Sequence, residues 1–116
     1  MLQDKDRIRL QHMRDHATEA MQMASGRARV DLDTDRQLNL SLLRLLEIVG
    51  EAAARVSEPT RKGHPEIAWQ EIAGLRNRLV HGYDEVDFDI LWDIIQLDLP
   101  PLIAALSSIL GKEDPE

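Results

Sequence analysis

The sequence predicts an all-α fold, an antiparallel up-and-down bundle of four to five helices, and three observations support this prediction. Apolar residues recur at spacings of three and four along most of the chain, as on one face of an α-helix. Although 43% of the 116 residues are hydrophobic, only one Phe, one Tyr and two Trp occur, so the core is aliphatic and favours helices. No segment shows the strict apolar and polar alternation that is typical of a half-buried strand.

Length and composition predict a single domain, residues 1–116, in a cytoplasmic protein. A chain of this length builds one hydrophobic core rather than two. The absence of cysteine excludes disulfides, thiolate chemistry and cysteine-ligated metal centres. No apolar run approaches the roughly 18 residues of a membrane span, and no apolar stretch follows the charged N-terminus as in a signal peptide. We therefore expect no contact with a membrane.

The first two predicted helices are amphipathic. The first covers residues 4–24 and stops before Gly26. The second follows an acidic stretch, residues 31–35, and there Thr34 and Gln37 have the spacing of a capping box. Because leucines occupy more than one of its faces, we expect this second helix at the centre of the bundle.

The other two predicted helices follow a break, residues 59–65, that contains two prolines and a glycine. The third helix begins near Ala68 and ends at Gly82, the usual C′ residue of a helix. The fourth helix is capped by Asp87 and is expected to bend at Pro100–Pro101, because proline cannot continue the helical hydrogen bonds.

The candidate site is the octapeptide RNRLVHGY, residues 76–83, at the end of the third predicted helix. On a wheel of about 100° per residue, the apolar residues of this helix form one stripe. His81, Asn77 and Gly74 share the opposite face, where Gly74 would let a second surface come close. Arg76 lies at the edge of the stripe and can reach outward along its stem.

These residue types suit metal-independent cleavage of RNA, or the binding of a nucleotide without chemistry. His81 can exchange a proton with a ribose 2′-hydroxyl or a leaving 5′-oxygen at neutral pH. Arg76 can hold a phosphate by two hydrogen bonds, and Asn77 can position a phosphate oxygen or the imidazole. Because one histidine does not easily serve as both base and acid, a symmetric pair of chains would divide the two tasks.

A simpler interpretation of the octapeptide is an ordinary helix end. In this case His81 interacts with the helix C-terminus, Gly82 is a cap and Arg78 is a solvated charge. The net charge of −7 argues against an extended nucleic-acid surface but leaves room for a small basic site. Such a site would comprise Arg76 and Arg78 and would be extended by the basic residues of the segment 61–64.

The octapeptide resembles the Arg-x4-His-x-Tyr signature of HEPN-domain proteins, specifically the HepT-like toxins of the HepT/MNT toxin–antitoxin systems. The resemblance extends over most of the chain. Four flanking segments share the look of the family: Ile48–Ala53, His64–Ile67, Trp69–Leu75 and Asp98–Pro100.

This resemblance implies a HEPN-like bundle, a homodimer with a composite cleft at its interface, and ribonuclease activity that needs neither metal nor cofactor. It implies that Arg76 and His81 are catalytic and that Asn77 is the polar residue that often follows the arginine. The usual partner is an MNT-type nucleotidyltransferase, the antitoxin. In some pairs the antitoxin silences the toxin by transferring nucleotidyl groups to the tyrosine of the signature, here Tyr83. An anionic phosphodiester beside His81 would repel RNA phosphate.

Two acidic residues on the second predicted helix, Glu47 and Glu51, are spaced to pair with an arginine. We expect Glu51 to hold Arg76 in place from within the bundle. The alternative is a salt bridge from Glu51 to Arg44 or Arg55 on its own helix.

Three further patterns have simpler explanations than a site. His12 and His16 have zinc-ligand spacing but lack the glutamate of the metalloprotease motif, so we expect a solvated face. The acidic stretch 31–35 fails the EF-hand pattern and fits helix-terminal acids. Trp69 and Trp92 are expected to pack rather than to stack on bases.

The sequence is also compatible with two other functions. One is a non-catalytic helical dimer that binds a nucleotide or a partner protein in the same cleft. The other is a purely structural dimer, which predicts neither binding nor cleavage.

Overall fold

The computed structural model describes residues 2–113 and is a helical bundle, as predicted. Its helices are α1 (Asp4–Ala24), α2 (Asp31–Thr34), α3 (Arg36–Arg55), α4 (Glu58–Gly63), α5 (Trp69–Ala73), α6 (Leu75–Leu79), α7 (Phe88–Asp93) and α8 (Leu99–Glu113). A π-helical segment, Ile94–Asp98, joins α7 to α8. Two short antiparallel strands, β1 (Val80–His81) and β2 (Glu85–Val86), lie between α6 and α7.

The centre of the bundle is the antiparallel pair of α1 and α3. Arg9, near the start of α1, donates a hydrogen bond of 2.6 Å to the carbonyl oxygen of Arg55, the last residue of α3. The facing sides of the two helices are buried, with Leu10, Leu42 and Leu46 fully enclosed. Since α8 packs along α1 while α5 and α6 pack against α3, the two long helices are covered on both sides, as predicted for the second helix.

The N-terminus of α3 is capped by Asp35, so the predicted capping box of Thr34 and Gln37 is wrong. Asp35 Oδ1 accepts a hydrogen bond of 3.0 Å from the Leu38 N–H. Thr34 is instead the last residue of α2, whereas Asp35 has the extended backbone of a capping residue. The Leu38 N–H and the Arg27 guanidinium hold the pKa of Asp35 below its ordinary value. The acidic stretch does lie at helix ends.

The third predicted helix is not continuous. It divides at Gly74 into α5 and α6 and ends at Leu79, three residues before the predicted Gly82. The chain then extends into β1, and the Asp87 N–H donates a hydrogen bond of 2.8 Å to the Leu79 carbonyl oxygen. Gly82 has φ 79° and reverses the chain between β1 and β2. Its left-handed conformation therefore forms a hairpin turn, and the expectation that the chain contains no strand is wrong here.

Gly50 of α3 allows α5 to pack closely against α3. A Cβ atom on Gly50 would lie 2.8 Å from the carbonyl oxygen of Ile72. This distance is too short for two non-bonded atoms, so the backbones could not stay in place. At Gly74 a Cβ atom would instead meet the Gln70 carbonyl oxygen of the preceding turn, at 3.3 Å.

Replacing Gly50 with alanine is expected to lower the free energy of unfolding by about 1–2 kcal/mol. Moving α5 away from α3 costs about 2–3 kcal/mol, and the higher helix propensity of alanine offsets about 1 kcal/mol of this cost. Gly111→Ala on α8, where a Cβ atom meets open space, is the matched control and should leave stability unchanged or slightly raised. Urea denaturation measures both variants. Equal stability of Gly50→Ala and the wild type would contradict the close packing.

The last helix begins as predicted, because the Asp87 side chain accepts a hydrogen bond of 3.0 Å from the Ile90 N–H. Its irregularity precedes Pro100–Pro101 rather than lying at them. The Leu99 N–H donates to the carbonyl oxygen of Ile94, five residues earlier, which is the pattern of a π-helix. The two prolines have no N–H for the carbonyls four residues before them, so a regular α-helix cannot continue through this turn.

The segment Phe88–Lys112 is long and apolar enough to cross a membrane by length and composition, with mean hydropathy 1.6 over the best window. This corrects the expectation that no segment approaches that limit. In the bundle 39% of the window is buried, and α1 packs against α8. Leu91, Leu99 and Leu106 are enclosed within the bundle, so burial in the core accounts for part of this apolar composition.

A buried carboxylate, Asp6, fastens the start of α1 to the start of α4. It is only 1% exposed and accepts hydrogen bonds from the Ser57 N–H (2.9 Å), the Ser57 hydroxyl and the Thr60 hydroxyl (2.6 Å). Burial acts to raise the pKa of Asp6, but these hydrogen bonds outweigh it and lower the pKa below its ordinary value.

Replacing Asp6 with asparagine is expected to cost about 1–3 kcal/mol of stability at pH 7, because an amide N–H would face the donors of Ser57 and Thr60. In unfolded chains an aspartate has a pKa of about 3.9. Because the pKa of Asp6 is lower when folded, its contribution is complete above that value and is lost as the pH falls through the folded pKa. Urea denaturation at pH 7 and pH 3 should therefore show a smaller difference from the wild type at pH 3. The exposed Asp4→Asn is the control, and a pH-independent difference would contradict the proposed ionisation.

Candidate functional site

The octapeptide 76–83 spans α6, β1 and the hairpin turn. Leu75 and Leu79 are buried and fix α6 against the core, which turns the intervening positions outward. The polar side chains of the octapeptide are all exposed: Arg76, Asn77, Arg78, His81 and Tyr83. The structure thus presents on its surface every residue that the sequence predicted for the octapeptide site, while the simple helix end predicted as an alternative is absent at His81.

Arg76 is oriented by Glu47 of α3. The Arg76 Nε lies 3.5 Å from Glu47 Oε2. The carboxylate is mostly buried, with 19% of its side chain exposed, whereas the Arg76 side chain is 73% exposed. Since Glu47 contacts Nε, the two terminal nitrogens of the guanidinium are left for a ligand with the geometry of a phosphate.

The prediction that Glu51 holds Arg76 is wrong. Glu51 Oε1 lies 3.4 Å from an Arg44 terminal nitrogen, and both side chains are 60% exposed. This is the salt bridge within one helix that the sequence left as the alternative. The two glutamates are one helical turn apart on α3, and it is Glu47 whose carboxylate contacts Arg76 of α6.

If the site cleaves RNA, as the sequence predicts, replacing Glu47 with glutamine is expected to lower the cleavage rate about tenfold, because a neutral amide holds the Arg76 guanidinium less firmly. Stability should change by less than about 1 kcal/mol, since Arg76 is largely solvated. Glu51→Gln removes the same charge from the same helix and should change neither quantity. Single-turnover cleavage rates and melting curves of both variants provide the measurement. Equal rates for the two variants would show that Glu47 does not orient Arg76.

His81 lies on β1 rather than on a helix, and this places a new residue near it. In the antiparallel register the Cα partner of His81 is Glu85. Directly opposite residues share one face of a hairpin, with Cβ atoms about 4.5–5.5 Å apart. Sequence reasoning missed Glu85 because it predicted no strand. The signal was present in Val80 to Val86, where a glycine turn separates two short matching segments.

Most polar side chains of the octapeptide are free to contact a ligand. Within residues 2–113, no side chain forms a hydrogen bond or ion pair with Asn77, Arg78, His81 or Tyr83. Among the same residues, Arg76 and His81, which are five positions apart in the sequence, are not hydrogen-bonded to each other.

The two tryptophans, which the sequence analysis considered as possible base-stacking residues, have structural roles. Trp69 is buried and its Nε1 donates a hydrogen bond of 2.9 Å to the His64 carbonyl oxygen, so the prediction of packing is confirmed. Trp92 is half-buried and packs on the core, as also predicted.

The two histidines with zinc-ligand spacing contact each other on α1. His16 Nδ1 lies 2.7 Å from the His12 carbonyl oxygen, and the two rings meet edge to face. Across residues 2–113, no three His, Asp or Glu side chains form a group that could hold a metal ion.

The basic segment 61–64 has local partners rather than forming a track toward Arg76. Arg61 Nε donates a hydrogen bond of 2.9 Å to the Val56 carbonyl oxygen. Lys62 Nζ lies 3.0 Å from Glu58, and His64 Nδ1 lies 3.6 Å from Glu66. This segment is therefore not part of the candidate site.

The chain matches a known protein family over most of its length. The family model described as "Ribonuclease HepT-like" matches residues 13–109. The chain belongs to the HepT-like ribonuclease family. The region that matches the HepT-like model includes the whole of the octapeptide 76–83, together with Glu47 and Glu85.

Named relatives carry ribonuclease descriptions. A protein of Caldanaerobacter subterraneus subsp. tengcongensis, "Putative RNase TTE0752", is 33% identical over 104 residues, which cover 90% of this HepT-like chain and 93% of the relative. A protein of Thermococcus cleftensis, "Probable ribonuclease HepT", is 38% identical over 72 residues, 62% of this chain and 66% of the relative. No solved structure matches the chain at a significant level.

Proposed function

We propose that this chain is a metal-independent RNA endonuclease in which Arg76, His81 and Asn77 act on one phosphodiester. The observation that carries the proposal is the group of exposed polar side chains on α6 and β1, in which the Arg76 Nε contacts Glu47 while Asn77 and His81 have no side-chain partner among residues 2–113. The membership of the HepT-like ribonuclease family supports the same conclusion.

The chemistry follows from the residue types. His81 accepts the proton of a ribose 2′-hydroxyl while the 2′-oxygen attacks the adjacent phosphorus. The bond from phosphorus to the 5′-oxygen breaks, and the leaving oxygen takes a proton from a second acid. Arg76 stabilises the charge that develops on the phosphate, and Asn77 positions one of its oxygens. The products are a 2′,3′-cyclic phosphate and a 5′-hydroxyl.

A homodimer supplies the second acid. Two copies related by a twofold axis would bring two His81 side chains to one composite cleft, so that one acts as base and the other as acid. The turn at Gly74 and the exposed face of α6 are the surfaces on which we expect the partner copy to approach. Arg78 adds positive charge beside this cleft and supports RNA binding.

The fully exposed Tyr83 suits control by a partner enzyme. Its phenol lies at the tip of the hairpin, two residues after His81. We propose that the chain is the toxin of a cytoplasmic toxin–antitoxin pair and that an MNT-type nucleotidyltransferase antitoxin modifies Tyr83. The added phosphodiester would place a negative charge beside His81 and repel the RNA backbone.

The test is cleavage of a mixed RNA pool by purified protein in EDTA, with a His81→Ala preparation treated identically as the control for contaminating nucleases. Cleavage by the wild type alone, leaving 2′,3′-cyclic phosphate ends, is the expected result. Equal cleavage by both preparations would reject His81. RNA binding without cleavage, by a protein whose intact mass shows an unmodified Tyr83, would favour the non-catalytic binding module instead.

A further inference from the structure

A groove lies beside the proposed site, between α5 and α6 on one side and the π-helical segment with α8 on the other. Its volume is about 220 Å³. Drug-sized ligand sites usually measure about 300–1,000 Å³, so this groove is of a size for one planar ring system rather than for a helix of a partner protein.

The groove has an apolar floor. Leu75 of α6 forms part of it, and Ile94, Leu99 and Leu102 form the opposite part. These four side chains are buried, while Ile72 and Ala105, which also line the groove, are partly buried. An apolar floor favours the flat face of a heterocycle and disfavours a charged group.

The charges on the rim are polarised. Glu66, which precedes α5, and Glu71 within α5 line the groove, whereas Arg78 lines it near the end of α6, three residues before His81. Arg78 has no ion-pair partner among residues 2–113, so it is available to a phosphate. A nucleotide would therefore lie with its phosphate at Arg78 and its base toward the carboxylates.

The π-helical segment brings Asp98 to the groove, on the wall formed with α8. One extra residue in this turn rotates α8 by about 100° relative to a continuous α-helix. Asp98 is the last residue of the segment and lines the groove. Single π-helical turns are common at functional sites.

We propose that this groove binds a guanine base of the RNA, next to the phosphate that is cleaved. The proposal rests on the proposed ribonuclease function and assigns its base preference. An ionised carboxylate only accepts hydrogen bonds, so it pairs best with two adjacent N–H donors. Guanine presents N1–H and its 2-amino group side by side, which Asp98 can bind with its two oxygens. Adenine and cytosine alternate a donor with an acceptor on this edge, and uracil flanks one donor with two acceptors.

The test uses nucleoside 5′-monophosphates, which contain no phosphodiester and are not cleaved, with the wild-type protein in titrations followed by NMR chemical shifts. GMP should bind at least about tenfold more tightly than IMP, which lacks only the 2-amino group, because a hydrogen bond to a charged acceptor is lost. AMP and UMP should also bind more weakly than GMP. Backbone shifts should map to the groove between α6 and α8.

Three variants locate the contact. Asp98→Asn should abolish the preference for GMP over IMP, because an amide offers a donor where the 2-amino group needs an acceptor. Ala105→Leu, which fills the groove, should weaken binding of every nucleotide. Asp93→Asn, an exposed acid on α7 outside the groove, is the matched control and should leave the preference intact.

The outcomes separate this proposal from the ribonuclease function. Equal binding of all four nucleotides, or shifts outside the groove, would overturn the guanine site even if RNA is cleaved. Selective GMP binding that Asp98→Asn removes would support the site even if no RNA is cleaved, in which case the ribonuclease function alone fails.

Discussion

Replacing His81 with alanine is expected to lower the rate of RNA cleavage by about 10²–10⁴-fold, the usual contribution of a positioned general acid or base. In a dimer with a composite cleft the same substitution removes both the base and the acid, so the loss should lie toward the upper end of this range. The melting temperature should not change, since His81 is exposed and its side chain forms no hydrogen bond within residues 2–113.

The measurement is a single-turnover time course on one RNA of defined sequence, with melting curves of each protein. His12→Ala, which removes an exposed histidine from α1, is the matched control and should cleave at the wild-type rate. A His81→Ala protein that is folded and retains more than about a third of the wild-type rate would remove His81 from the chemistry.

Replacing Arg76 with lysine is expected to lower the cleavage rate by about 10²–10³-fold, as the loss of one donor to a developing charge usually does. Lysine keeps the positive charge but has no fork, so it cannot contact Glu47 through one nitrogen while two others hold the phosphate. Arginine and lysine differ here in geometry but not in charge. Lysine therefore tests the role of the guanidinium fork, which alanine, lacking the charge as well, could not isolate.

Arg36→Lys, at an exposed position on α3, is the control for a change of arginine to lysine on the surface. The double variant Arg76→Lys with Glu47→Gln decides whether the two residues act together. If Glu47 acts through Arg76, the double variant should be no slower than Arg76→Lys alone. Multiplied losses would show that the two side chains act independently.

The helices that frame the site could be predicted from the sequence because their signals are local. The spacing of Leu75 and Leu79 gave the buried side of α6, and the side chain of Asp87 starts α7 as expected. The same spacing placed Asn77 on the face opposite the core, but it put Arg76 at the edge of the buried stripe, whereas in the structure Arg76 is exposed. Periodicity and capping depend on neighbours within one turn, so they can be read without knowledge of the fold.

The features that the sequence did not predict depend on how elements cross. Glu47 and Glu51 are equivalent by spacing, and only the crossing of α3 and α6 selects Glu47 for Arg76. The hairpin was missed because each strand is two residues long, too short for an alternating pattern. On a helical wheel His81 and Arg76 diverge by about 140°, but His81 is not on that helix, so the divergence does not apply.

The hydrogen bond from the Asp87 N–H to the Leu79 carbonyl oxygen has a consequence for the dynamics of the hairpin. Asp87 closes the base of the hairpin with its backbone and starts α7 with its side chain. Opening the loop therefore requires the first turn of α7 to fray as well, and the Asp87 amide should exchange with solvent no faster than those of that helix. An enzyme that modifies Tyr83 would meet a tip that the fold already holds outward, and it would not need to unfold any part of its target.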